Sequence, residues 1–428
     1  MQQELIAIEA DKQRIIDQIE NENIRPTEKE QELANGIIMR LAELHSSNQE
    51  TLIPEIKRLA NELNLPQETR LRVEKTVMIT AFGYGPLTPL INDDSVTEII
   101  VISHDNVCVE RGGTIESTDI VFTDDEHLMK IIQRIAQAAN RQLNISHPVV
   151  DAELKDGSRV QITIPPVGKS PQMNIRKFRK DMMSYLAYIN TGAIPPKLMA
   201  IMQKFVVGRL NILISGGTGT GKTTFLNVLS NFIPKNEIIV TSEDTYELQL
   251  QQPNVMSMRT RPSLNPEIDN ITQAELLRAS LRKRPDRIIQ GEARGKEIFD
   301  MLNAMSSGHE GSIATIHANS PKELCRVRIP FMFRQNEGMK LETADIQLLI
   351  SYSVEIIVQL VRLKDGRRKV ASISYIDGIN DEGYVNVVDM FRYNPTTDTF
   401  ECMGNVPERF IDKLEAHGVK IDRNLFLS

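Results

Sequence analysis

Apolar positions recur at helical spacing through the first seventy residues. The stripes are Leu5, Ile8, Ile15 and Ile19, then Leu33, Ile37, Leu41 and Leu44, then Leu52, Ile56, Leu59 and Leu63. Thr27 and Glu30 make a capping-box pair at the start of the second helix. Such stripes pack helices against one another, and the cluster Phe82-Gly-Tyr-Gly-Pro-Leu87 ends them. From Val96 the period shortens: VTEIIVI and NVCVE read as two strands joined by a short turn, and DIVF as a third. Asp124 caps a helix that buries Leu128, Ile131, Ile132, Ile135 and Ala139. VVDAELKDGSRVQITI alternates on both sides of Asp156-Gly157, a hairpin signal. These elements predict a helical extension over 1–75 and an α+β domain over 76–178.

Residues 179–198 read as a linker, with Pro195-Pro196 opening a helix. Over 199–428, strands alternate with helices: NILIS, EIIVTS, VMSMR, DRIIQGE and SIATIH. That order predicts an α/β fold, a mostly parallel sheet with helices on its faces. The end of the chain, through VEIIVQLVRL, KVASISYI and YVNVVDMF, is strand-rich and closes with a short helix.

Composition narrows the function. The chain has 428 residues, with 50 Lys plus Arg against 57 Asp plus Glu, a formal charge of −7. An acidic balance argues against a dedicated nucleic-acid binder, though not against a local basic channel. Cys108, Cys325 and Cys402 are too scattered for a disulfide framework or a four-cysteine zinc site, and fit a reducing cytoplasm. No apolar run approaches the roughly 18 residues that span a bilayer. MQQELIAIEADKQ has neither a basic nor an apolar leader region. Work at a membrane would therefore be done from its surface or through a partner.

Gly216-Gly217-Thr218-Gly219-Thr220-Gly221-Lys222-Thr223 satisfies GxxxxGK[ST], and Thr224 follows. An apolar strand precedes the loop and the helical run TTFLNVLSNFI follows it. The glycines let successive N–H groups turn onto phosphates at the positive end of a helix. Lys222 would reach the β- and γ-phosphates of ATP, and the Thr223 hydroxyl would ligate Mg²⁺.

Phosphoryl transfer to water needs one carboxylate to orient the water and another to hold the metal. Glu243-Asp244 follows EIIVTS at the strand end where open α/β sheets place ligands. Glu292 ends the Walker B-like run Arg287-Ile-Ile-Gln-Gly-Glu. His309 and His317 flank SIATI but have no metal-ligand spacing; His317, at the strand end, suits a hydrogen bond to the γ-phosphate.

With these residues placed, the sequence resembles the secretion-ATPase superfamily of type II and type IV secretion and type IV pili. Within it, the chain is most similar to the CpaF/TadA branch that powers Flp/Tad pilus assembly. The resemblance runs from about Gly83 to Asp389, through GPLTPLINDDSVTEIIV, VDAELKDGSRVQITIPP, NIRKF, ISGGTGTGKTT, EDTYELQLQQPNV, RPDRIIQGEARG and GHEGSIATIHANSP. It implies a RecA-like P-loop NTPase domain behind an α+β N-terminal domain. It implies Glu243 as the residue that activates water and Glu292 as a holder of Mg²⁺ through water. His317, within the His box Gly308–Asn319, would face the γ-phosphate. It further implies a homohexamer with arginines bridging domains and neighbours. Arg176 of NIRKF is the first candidate; Arg259, Arg261, Arg282 and Arg294 are others. The expected partners are platform proteins at the inner face of the cell membrane, with no nucleic acid.

Three positions depart from the family pattern. Gln290 and Ala293 stand where aliphatic residues are usual, and Lys283 replaces an apolar residue before RPDR. A glutamine in a central strand must be hydrogen-bonded or lie at the sheet surface. Two other functions fit a P-loop: a RecA-like nucleic-acid motor, and a nucleotide-gated scaffold without turnover. RASLRKRPDR lacks the interleaved aromatics of the first. The intact Lys222, Glu243 and Glu292 speak against the second.

Overall fold

The computed structural model describes residues 27–43, 49–82, 84–154, 156–178, 183–261, 269–335, 341–404 and 406–420. The stripe Leu5–Ile19, Leu44 and the side chain of Leu52 lie outside the described residues. The chain forms two compact units, Met1–Arg179 and Lys180–Ser428.

Among the described residues, the first unit opens with helices α1 (Glu28–Glu43), α2 (Gln49–Glu62) and α3 (Gln67–Phe82), so that one helix crosses position 75. Ala34, Ile37, Ile56, Leu59, Val73 and Val77 form their shared core, as the helical spacing requires. The Thr27–Glu30 capping pair is present, with Thr27 N–H donating to Glu30 Oε2 at 2.8 Å. Arg72 of α3 reaches back to Glu30 Oε1 at 2.7 Å, tying α1 to α3.

Next come strands β1 (Val96–Ser103), β2 (Asn106–Arg111) and β3 (Thr114–Ser117), helix α4 (Asp125–Ala138), and strands β4 (Val149–Glu153), β5 (Arg159–Thr163) and β6 (Gln172–Arg176). They build a sheet in the order β3-β2-β1-β6-β5-β4, antiparallel throughout. The third strand is Thr114–Ser117 and not DIVF, because the Gly112-Gly113 turn folds TIES directly back onto β2. DIVF instead forms no strand: Phe122 is buried in the core and its N–H donates to His104 O at 2.7 Å, in the turn between β1 and β2. Asp124 accepts from the His127 N–H and caps α4, whose Leu128, Ile131, Ile132 and Ile135 pack on the sheet.

The second unit holds helices α5 (Pro196–Val207), α6 (Lys222–Ser230), α7 (Gln273–Ser280), α8 (Glu297–Ser306), α9 (Thr343–Ser353) and α10 (Glu408–Ala416). Its strands are β7 (Ile212–Gly216), β8 (Ile239–Glu243), β9 (Val255–Arg259), β10 (Arg287–Ala293), β11 (Ile313–Ile316), β12 (Ile356–Arg362), β13 (Arg368–Ile379), β14 (Val385–Asn394) and β15 (Thr399–Cys402). The sheet order is β15-β14-β13-β12-β7-β11-β10-β8-β9. From β12 to β9 every pairing is parallel; β13, β14 and β15 add an antiparallel wing. Alternate strand residues face opposite layers. Ile212, Ile214, Ile289, Ile313 and Val358 pack towards α5, α6 and α10. Leu213, Ile288, Ala314 and Ile357 pack towards α8 and α9. Buried on both faces, the central strands β7 and β11 read as largely apolar runs, whereas the edge strand β9 is partly exposed. No helix of the described residues is long and apolar enough to cross a membrane.

Candidate functional site

The parallel strands end where ligands bind in open α/β sheets. β7 is wholly buried and runs into the glycine loop, which hands over to α6 at Lys222. Gly219 and Gly221 have φ of +71° and +89°, a backbone shape that side chains resist. A Cβ on Gly216 would stand 2.6 Å from Thr220 Oγ1 and 2.8 Å from Leu360 O, so the loop's first glycine is required by packing. Thr220 Oγ1 donates to Gly217 O at 2.9 Å and closes the turn.

Lys222 Nζ donates to Gly216 O and Gly217 O at 3.0 and 2.9 Å, and stands 3.3 Å from both ring nitrogens of His317. His317 follows β11 directly, and its Nε2 lies 2.8 Å from Glu292 Oε1 near the end of β10. Glu292 Oε2 accepts from Arg294 Nη2 at 2.6 Å. Arg294 Nη1 is in turn 3.5 Å from Asp244 Oδ2. Burial raises the Glu292 carboxyl, but the Arg294 hydrogen bond and charge, with His317 and Lys222, hold it below its ordinary value. Burial and then the Lys222 ammonium push His317 down, which keeps the ring neutral at pH 7. A neutral ring fits Nε2–H donating to Glu292 and a Nδ1 lone pair towards Lys222.

Glu243 closes β8 and is almost fully enclosed. Its Oε2 accepts from the N–H groups of Glu247 and Leu248 at 2.7 and 2.8 Å, and Thr241 Oγ1 donates to Oε1 at 3.3 Å. Burial pushes the carboxyl up to about 7 against those three hydrogen bonds. A Cβ on Gly291 would come within 3.2 Å of Glu243 Cγ, so glycine lets β10 lie close beside this carboxylate.

Gln290 is buried and hydrogen-bonded: its Nε2 donates to Gln273 Oε1 at 3.0 Å, and Gln273 Nε2 donates to Asp244 Oδ1 at 2.9 Å. The unusual glutamine thus supports the carboxylate that faces Arg294. Of the other candidate arginines, Arg259 is paired with Glu243 in the β8–β9 register. Arg176, in the first unit, is 3.8 Å from Glu98. Arg259 stacks over Tyr246 and Arg261 donates to Asp269 O at 3.1 Å. Arg282 is exposed in the turn after α7. His309 stands at the other end of β11 from His317.

Two residues at the loop escaped sequence reasoning. Arg368 Nε donates to Gly219 O at 3.1 Å, and Arg362 Nη1 lies 3.4 Å from the point where Gly219 would carry a Cβ. VRLKDGRRKV signals a hairpin through Asp365-Gly366, but nothing local in it says that β12 runs beside β7.

The type II/IV secretion system protein family model matches residues 80–398. A Mycobacterium tuberculosis protein named for conjugal transfer is 32% identical over 330 residues, covering 75% of this chain and 91% of that one. The type IV secretion system protein VirB11 of Bartonella henselae is 31% identical over 340 residues, covering 71% and 94%. The structure of the Legionella pneumophila ATPase DotB superposes with a TM-score of 0.50 at 20% identity, covering 71% of this chain and 82% of that one. That likeness is one of fold.

Proposed function

Since this chain belongs to the type II/IV secretion system protein family, we propose that it is a hexameric motor that hydrolyses ATP to drive assembly of a Flp/Tad-type pilus or export by a related secretion machine. The carrying observation is that a glycine loop, a lysine, a neutral histidine and two carboxylates of opposite pKa direction gather at the ends of adjoining parallel strands. In this reading Gly216–Thr224 cradle the phosphates, with Lys222 leaving its loop carbonyls for the β- and γ-oxygens. Glu243, whose burial makes it a competent base near neutral pH, takes the proton of the attacking water. His317 hydrogen-bonds the γ-phosphate.

Mg²⁺ suits the donors present: the Thr223 hydroxyl and a Glu292 carboxylate held anionic are hard oxygens, and this ion keeps several waters beside phosphate oxygens. Thr223 and, through water, Glu292 would hold it, and it would supply charge neutralisation on the phosphates.

Ring closure would set each site against a neighbour and let an arginine, Arg176 foremost, act in trans. Opening and closing between the expected domains, 76–178 and 199–428, would do the mechanical work. The motor would sit in the cytoplasm, docked on membrane platform proteins. A nucleic-acid motor fits less well, because RASLRKRPDR carries no aromatic to stack on bases and its Arg287 is buried on Glu237.

The test is orthophosphate release from Mg·ATP by purified full-length chain, with light scattering to size the particle. Turnover by a six-subunit ring, abolished by Lys222→Ala, supports the motor. A monomer that binds ATP without turnover overturns it in favour of a nucleotide-gated scaffold.

A further inference from the structure

β12 pairs with β7 as far as Leu360 beside Gly216, so Arg362, two residues on, lies past the end of β7 and alongside the phosphate loop. The chain turns at Asp365-Gly366 and returns as β13, with Arg368 directly across from Arg362. Two like charges in opposed register oppose strand pairing. Both arginines lie beside the loop where it has positive φ. Arg362 Nη1 is 3.4 Å from the Cβ position of Gly219, and Arg368 Cδ is 3.3 Å from that of Gly221. The Arg368 Nε bond to Gly219 O, 3.1 Å, lays that guanidinium against the loop.

Neighbouring charges are engaged in another network. Asp365, the acid of the turn, accepts from Arg367 at 2.7 Å, and Asp398 takes both Arg367 and Lys369 at 2.8 and 3.0 Å. Arg367 and Lys369 thus reach the β14–β15 turn, while Arg368 bonds the loop. A paired guanidinium set is the arrangement that recognises phosphate oxygens.

We propose that Arg362 and Arg368 form a second cationic grip on the phosphates of a nucleoside di- or triphosphate, so that the loop and the β12–β13 hairpin bind the ligand together. The proposal rests on the nucleotide reading of the loop. It also gives the antiparallel wing a task, because occupancy of the loop is then felt directly by β13.

The test titrates full-length chain with a fluorescent ADP analogue at several salt concentrations. The variants are Arg362→Gln, Arg368→Gln and Arg368→Lys, each checked for wild-type melting, with Lys222→Ala as the loop control. Each glutamine variant is expected to bind about tenfold more weakly. Its salt dependence should be shallower, because one phosphate-facing cation is gone. Arg368→Lys should keep the wild-type salt slope. Wild-type affinity in both glutamine variants, while Lys222→Ala loses binding, overturns the grip and leaves the nucleotide reading standing. Weaker binding with an unchanged salt slope also overturns it, assigning the arginines to bracing the loop alone. Failure of the wild-type chain to bind the analogue would instead remove the nucleotide reading itself.

Discussion

His317 Nε2 lies 2.8 Å from Glu292 Oε1, while the same ring stands 3.3 Å from Lys222 Nζ. The imidazole therefore joins the lysine of the phosphate loop to the carboxylate near the end of β10. Removing it leaves the loop's own N–H groups in place but frees both ends of the link. His317→Ala is expected to bind ADP within a few-fold of wild type and to lose about 100-fold in kcat. Parallel binding titrations and orthophosphate release check this. A variant that turns over at the wild-type rate would remove His317 from the reaction.

Glu243 is held by two backbone N–H groups that a glutamine oxygen can also receive. Glu243→Gln should therefore keep the loop between β8 and β9 in place and lose only the ability to take a proton. ATP affinity is expected to stay near wild type, with turnover reduced by about 10²- to 10⁴-fold. Single-turnover assays on pre-bound ATP separate the two effects. Fast hydrolysis by this variant would move the base to Glu292.

The pH dependence of both rate and stability follows from the same carboxyl, which burial lifts from 4.5 to about 7. In its proposed role of base it must be ionised, so kcat is expected to climb through about pH 7 on the acid limb. Folded, the group keeps its proton to near pH 7, whereas unfolded it releases it near 4.5. Between those values the folded state binds more protons, so this contribution to stability is complete below about pH 4.5 and is lost as pH rises through about 7. Glu243→Gln removes that loss. Relative to wild type the variant should gain of order 3 kcal/mol between pH 5 and pH 8. Chemical denaturation at the two pH values measures it, and an equal difference at both would contradict the burial argument.

The glycine loop was legible because its chemistry is contiguous: eight residues carry the turn, the lysine and the helix start. The strand-end positions of Glu243, Glu292 and His317 were legible because buried parallel strands are apolar runs that stop abruptly. What sequence could not supply is the lateral order of those strands. Arg362 and Arg368 reach the loop only because β12 lies next to β7, a pairing some 145 residues apart in the chain. The support that Gln290 and Gln273 give Asp244 likewise joins α7 to β10. In the first unit, DIVF had strand composition, but the Gly112-Gly113 turn decided for TIES, since a tight turn fixes which segment meets β2.

Arg287 opens β10 with a side chain that is fully buried, in a motif that reads as surface charge. Its Nε donates to Glu237 Oε2 at 2.6 Å, and Nη1 donates to Val206 O at 2.6 Å and Gly311 O at 3.2 Å. One guanidinium thus ties the end of α5, the approach to β8 and the turn before β11. A Cβ on Gly311 would lie 2.3 Å from Nη1, so that glycine makes room for the arginine. Arg287→Met fills similar volume but leaves two carbonyls and most of the Glu237 charge without this partner. Arg209 alone, at 3.1 Å, then faces Glu237. Breaking a buried pair from one side costs about 3–5 kcal/mol. Denaturant unfolding of Arg287→Met is expected to show a loss of that size. The double variant with Glu237→Gln should recover part of it, because the buried charge is then gone as well. A single variant within about 1 kcal/mol of wild type would show that the arginine is not what holds these three segments together.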